Sequence, residues 1–170
     1  SDIRNIFSGF VYFEVQTTAF EFYDVFSNED VCELIKFIDK SGNILALRHD
    51  ITTPIARMAA TKLAGEPLPM RLSYVGTAFR DGDARAGALQ REFTQAGIEL
   101  IGENSSEADA EVIAAAVKAI RAAGLEEFQI EIGHADFFRS LAAQINLNDS
   151  DTEELRKLID NKSLVGINEL

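Results

Sequence analysis

Arg91-Glu92-Phe93-Thr94-Gln95-Ala96-Gly97-Ile98-Glu99-Leu100-Ile101, closed by Gly102, is the stretch whose pattern decides the fold. Side chains alternate faces along a strand. Ala96, Ile98 and Leu100 therefore share one face, a core face, while Gln95, Gly97 and Glu99 share the other. A solvent-facing strand surface would be polar in the same way. Gly97, however, leaves a notch between two hydrogen-bonding residues. Gln95 and Glu99 stand about 13 Å apart along the strand. With their side chains leaning inward, they can hold both ends of an amino acid.

Working outward, residues 70–80 read as a long strand that precedes this one, joined to it by a loop rich in Asp, Ala and Gly over 81–90. Residues 12–17 alternate as a strand should, and 34–39 and 44–48 read as a hairpin around Lys40-Ser41-Gly42-Asn43. Phe20, Phe22, Tyr23, Val25 and Phe26 form an aromatic connector, most simply core or subunit interface. Residues 1–8 look like the last turns of a helix stopped by Gly9.

A helix is expected after Thr53 as cap and Pro54 at its first turn. Another is expected over 106–123, with a Ser106/Asp109 capping box, a stop at Gly124 and a buried stripe of Val112, Ile113, Ala116, Val117 and Ile120. Residues 128–132 read as a further strand. Helices follow through Phe137, Phe138 and Leu141, and after a Ser150/Glu153 box. The pattern predicts an α+β fold, an antiparallel sheet flanked by helices.

Composition bounds the function. Hydrophobic residues make up 46% of the 170, enough for a real core. Sixteen basic against 28 acidic residues give a net charge of −12. No basic run exists to neutralise phosphates, which argues against nucleic acid as a partner. No apolar stretch approaches the roughly 20 residues that cross a bilayer. A single cysteine, Cys32, excludes an internal disulfide or a CxxC metal site, so a cytoplasmic location, without metal or cofactor, is expected. His49 and His134 are too far apart in sequence to suggest a metal pair.

A second polar cluster is Leu47-Arg48-His49-Asp50-Ile51-Thr52-Thr53-Pro54, where a strand gives way to a helix. Asp50 and Thr52 there are equally readable as helix-entry residues. Arg80 ends the long strand. Taken in order, Leu-Arg-x-Asp-x-Thr, Phe79-Arg80 and Phe-Thr-Gln-x-Gly-x-Glu resemble the core of class II aminoacyl-tRNA synthetases, in their histidyl branch. The chain looks closer still to a relative that does not handle tRNA, the regulatory subunit family of ATP phosphoribosyltransferase. Gln16-Thr17-Thr18-Ala19-Phe20-Glu21 and Gln129-Ile130-Glu131-Ile132-Gly133-His134 extend the resemblance over most of the chain.

The resemblance implies roles. Asp50, helped by Thr52, and Gln95 would bind the α-amino end of histidine. Glu99 would accept from the imidazole. Arg80 would contact the carboxylate, where a planar guanidinium is well matched. It also implies departures from a working synthetase. The second class II motif reads Phe79-Arg80-Asp81-Gly82, without its usual glutamate, and Thr18 stands where the first motif has proline. The third motif is not found. Residues 1–135 are thus expected to be a synthetase-like core with a short front, and 136–170 a helical segment leading into an insertion or following region.

No catalytic residue is assigned, because phosphoryl chemistry needs all its charge-stabilising groups together. The implied function is regulatory. A histidine-sensing protein would pair with the short-form ATP phosphoribosyltransferase catalytic subunit, at the first step of histidine biosynthesis, as a homodimer within a hetero-oligomer. The alternative is the catalytic core of a histidyl-tRNA synthetase. A paralogue with neither role is the remaining reading.

Overall fold

The structure is a computed structural model and describes residues 2–26, 34–81, 91–133, 135–145 and 147–160. Cys32, Gly82, Asp83 and His134 lie outside the described residues. The chain divides into two units, Ser1–Glu126 and Glu127–Leu170.

In the first unit the chain enters through α1 (Asp2–Gly9) and reverses at Val11, whose φ of 64° is unusual for a β-branched residue. Three strands form one sheet: β1 (Phe13–Glu14), β5 (Met70–Phe79) and β6 (Glu92–Ile101), in the order β1-β5-β6. β5 and β6 pair antiparallel over their whole length, with Tyr74 opposite Gly97 and Gly76 opposite Gln95. β1 runs parallel to β5, pairing Phe13 with Leu72. The fold is α+β, but this sheet is mixed rather than purely antiparallel. A second, antiparallel sheet has β4 (Ile44–Leu47) between β2 (Phe20–Phe22) and β3 (Lys36–Ile38). The aromatic connector supplies β2 and a 3-10 turn over Tyr23–Phe26, of which Phe26 is buried and Phe20 and Phe22 are exposed. The expected strand over 12–17 shrinks to two residues.

The two faces of β5 and β6 have different covers. On one, Ile98 and Leu100 pack against a cluster of Phe7, Tyr12 and Ala119, contributed by α1, the reversal and α3 (Ser106–Ala122). On the other, Leu72 and Tyr74 pack with Ile51, in the turn into α2 (Thr52–Ala60), and with Ile55 of that helix, flanked by Met70 and Ile101. Ala96, expected in the core, is exposed. α3 is pinned to the sheet by Glu111. It accepts two 2.9 Å bonds from Arg71 on β5 and one of 2.8 Å from the Tyr12 hydroxyl. Burial first, and then Glu111, pushes the Tyr12 pKa up to about 12. The Arg71 bonds hold the Glu111 carboxyl below its usual range.

Several local expectations are corrected. α2 is capped by Asp50, whose Oδ1 accepts the Thr53 N–H at 2.9 Å, and not by Thr53. α3 begins at Ser106 as expected, but its cap lies one residue earlier: Ser105 has extended backbone and its hydroxyl accepts from the Ala108 N–H, so Ser105 rather than Ser106 is the cap. The buried face of α3 is Ala108, Ala115 and Ala119, while Val112 is exposed. Small side chains let α3 approach Phe7 and Tyr12 closely, and the larger Val112 is turned outward.

The second unit contains α4 (Ala135–Gln144) and α5 (Asp149–Asp160). Asn148, rather than Ser150, caps α5, accepting the Asp151 N–H at 2.8 Å. The strand expected over 128–132 is not formed. A strand needs a partner, and none lies beside these residues among those described in this unit.

Candidate functional site

The site is built where β6 meets the turn from β4 into α2. Gln95 and Glu99 are four residues apart on β6, yet their side chains end on consecutive residues of that turn. Gln95 Oε1 accepts the Ile51 N–H at 3.1 Å, and Glu99 hydrogen-bonds the Thr52 side chain. The polar face of β6 is therefore covered by the turn and is not a bare solvent surface. Gln95 and Glu99 are both half-buried.

Asp50 faces the same cluster, and its charge acts on both Glu99 and Tyr74. One carboxylate oxygen caps α2, and the other stands 2.8 Å from His49 Nε2. His49 is buried, edge-on to Phe26 with ring centroids 5.3 Å apart. The helix-entry reading of Asp50 is thus correct as structure, and it also fixes the carboxylate in the cluster. A carboxylate offers about four acceptor sites, so cap and ligand contact are compatible.

Burial, partly offset by the Thr52 hydrogen bond and reinforced by Asp50, raises the Glu99 pKa. A carboxyl raised in the folded state binds its proton more tightly there than in the unfolded chain. The stability this supplies is fully present below the ordinary glutamate range and is lost as pH rises through the raised folded value. We expect Glu99→Gln to unfold at a higher urea concentration than the parent at neutral pH. The difference should vanish as pH falls below the ordinary glutamate range. A constant difference across that range would contradict the strained-carboxylate account.

Arg80 is not brought into contact with these four. It directly follows Phe79, the last residue of β5, about 13 Å along the chain from Gly76. It is exposed, with its guanidinium 5.1 Å from the Phe93 ring centroid. Asp81 beside it pairs with Arg91 at 3.1 Å.

Two residues of the site were not singled out from the sequence as such. The first is Tyr74, 5% exposed. A Cβ at Gly97 would overlap its hydroxyl, so the notch left by Gly97 is filled by Tyr74 and is not vacant. Tyr74 hydrogen-bonds Thr52, and burial raises its pKa. Its place opposite Gly97 was readable only once β5 and β6 were in register. The second is Arg48, which staples the turn to its neighbours through the Thr77, Thr17 and Thr18 carbonyls. A cavity of about 120 Å³ adjoins it, lined by Gln16, Thr17, Arg48, Ile51, Tyr74 and Gly76 among others.

Comparison with known proteins bears on the family and the fold. The sequence model described as histidyl-tRNA synthetase matches residues 1–170. The ATP phosphoribosyltransferase regulatory subunit of Acetivibrio thermocellus is 51% identical over 172 residues, which cover 99% of this chain and 41% of that protein. A solved structure described as an ATP phosphoribosyltransferase regulatory subunit/histidyl-tRNA synthetase, from Bacillus halodurans, superposes with a TM-score of 0.91 at 33% identity. It covers 99% of this chain and 44% of that one. A histidine–tRNA ligase subunit from Alicyclobacillus acidocaldarius gives a TM-score of 0.79 at 29% identity, over 99% and 49% of the two chains. The chain spans about two-fifths of the length of the curated relatives it matches. The architecture is the class II synthetase core, and a match along its whole length establishes that the chain belongs to the histidyl-tRNA synthetase family.

Proposed function

We propose that this chain is the histidine-sensing portion of a regulatory subunit of ATP phosphoribosyltransferase and that it performs no chemistry itself. Convergence of Asp50, Thr52, Gln95 and Glu99 on one turn is the observation that carries the reading. It offers fixed acceptors for an ammonium and for an imidazole N–H. Asp50 would take the α-amino group and Glu99 the imidazole. Gln95 spends its carbonyl oxygen on Ile51, which leaves its NH₂ suited to the ligand carboxylate. Arg80 would reach that carboxylate from the far end of β5.

The similarity to proteins named as regulatory subunits supports the regulatory half of the reading. So does the second class II motif, Phe79-Arg80-Asp81-Gly82, which lacks the glutamate a working synthetase uses on adenine. The partner would be the short-form catalytic subunit, bound in a hetero-oligomer that contains a homodimer of this protein in the cytoplasm. No helix among the described residues is long and apolar enough to cross a membrane. Histidine would act through a coupling free energy of about 1–3 kcal/mol between the two subunits' sites.

The test mixes the full-length protein with the short-form catalytic subunit and follows phosphoribosyl-ATP formation with and without histidine. The expected result is activity that depends on this protein and is suppressed by histidine. A catalytic subunit indifferent to the protein, together with histidine-dependent ATP–pyrophosphate exchange by the protein alone, would establish the synthetase reading instead.

A further inference from the structure

Arg48 uses only part of its donor set to staple the turn. A guanidinium carries N–H donors on all three nitrogens, in a fixed fork. Nε and Nη1 donate to the Thr77, Thr17 and Thr18 carbonyls and to the Thr17 hydroxyl oxygen. All these acceptors are neutral, and Arg48 makes no ion pair among the described residues. Nη2 has no acceptor among them either. The residue is only 8% exposed, so a full positive charge is buried without a counter-charge.

Nη2 lies against the bare backbone of β5, where a Cβ at Gly76 would stand 3.0 Å from it. The cavity of about 120 Å³ opens there, between Arg48, Gln16, Thr17, Val75 and Gly76. β5 supplies a further donor to the same gap. Backbone groups of an antiparallel strand alternate between its two edges. The Arg80 N–H faces β6 and donates to Arg91, whereas the Phe79 N–H and the Ser73 and Thr77 carbonyls face the opposite edge. The Val75 N–H, in step with these, faces that edge too. β1 pairs with β5 only as far as Ser73, so no strand lies opposite Val75 there. The Thr17 hydroxyl accepts from Nη1, which leaves its own proton to donate.

We propose that this gap is a binding site for a compact oxyanion, held by Arg48 Nη2, the Val75 N–H and the Thr17 hydroxyl. All three groups donate, and no acidic side chain is among the described residues that line the cavity. A space of about 120 Å³ suits an ion of acetate or phosphate size, since larger organic ligands occupy about 300 Å³ or more. Ile51 and Tyr74 line it, but Asp50, Gln95 and Glu99 do not. The proposal therefore stands apart from the histidine reading.

The experiment titrates sodium acetate and, separately, sodium phosphate into the full-length protein, with ionic strength held constant by sodium chloride. The protein is labelled with ¹⁵N at arginine and valine, and NMR follows the Arg48 side-chain nitrogens and the Val75 amide. Arg48→Lys, which keeps the charge, assigns the Arg48 signals. The expected result is a saturable shift at both places, with one dissociation constant, for at least one of the two anions. Gly76→Ala leaves every donor in place but crowds Nη2, and should weaken binding about tenfold or more. Thr17→Val removes one neutral donor and should weaken it about threefold to tenfold, whereas Thr17→Ser keeps the hydroxyl and the parental affinity. Shifts that grow without saturating would overturn the proposal, because they report only bulk screening. Saturable binding that leaves Arg48 and Val75 unmoved would also overturn it, as would indifference to both anions, since water would then fill the gap.

Discussion

Replacing Arg48 with methionine lowers the stability of the full-length protein's first unit by about 3 kcal/mol or more. Arg48 is 8% exposed, and burial pushes its guanidinium pKa down. Its Nε donates to the Thr77 carbonyl at 2.7 Å. Its Nη1 donates to the Thr17 carbonyl and hydroxyl, each at 2.9 Å, and to the Thr18 carbonyl at 3.1 Å. One side chain therefore ties the connector between β1 and β2 to the end of β5. Methionine preserves much of the volume but donates nothing, so three carbonyls lose a partner, at about 1–3 kcal/mol each when water cannot replace it. The pairing of β4 with its neighbours is backbone-made and should survive. Urea unfolding with an unchanged denaturant slope measures the loss. A change below about 1 kcal/mol would mean that water replaces the guanidinium and that the staple is not structural.

Gly97→Ala costs about 1–3 kcal/mol and removes ligand binding as well. The added methyl overlaps the Tyr74 hydroxyl. A flexible side chain would simply move aside. Tyr74 is instead held by Ile51, Ile55 and Leu72, so relief has to come from the ring shifting against its core or from β6 moving away from β5. The first disturbs the packing of Tyr74 against Ile51 in the turn, and the second carries Glu99 away from that turn. Stability is read from the urea midpoint and binding from histidine calorimetry. An alanine variant with parental midpoint and parental histidine affinity would show that the contact between Tyr74 and Gly97 constrains neither core nor site. Gly124, where an added Cβ meets nothing within 4 Å, is a useful contrast for crowding, although its φ of +96° adds strain of its own.

Much of the site was readable because its determinants are local. Alternation along residues 91–101 placed Gln95 and Glu99 on one face and Ile98 and Leu100 on the other, and the structure keeps that division. The cluster at Asp50 and Thr52 was visible as a helix entry, which it is. What escaped the sequence depended on distances between elements. The notch at Gly97 is closed because the register of β5 against β6 puts Tyr74 opposite it, and register cannot be read from one strand. Asp50 took the cap assigned to Thr53, since both residue types cap well and only the backbone chooses between them. α3 presents alanines inward because close approach to Phe7 and Tyr12 outweighs the larger apolar area of Val112. Residues 128–132 have strand composition, but strand formation is decided by a neighbour and not by composition.

The measurement that bears most directly on the central claim is calorimetric titration of L-histidine into the full-length protein, beside Asp50→Asn and Glu99→Gln. If the site reads as argued, the parent binds histidine, Asp50→Asn weakens binding through the lost ammonium contact, and Glu99→Gln weakens it by about tenfold or more through the lost charge-assisted bond to the imidazole. Histidine binding of parental strength in both variants would contradict the account, because the ligand would then be held somewhere other than the turn between β4 and α2.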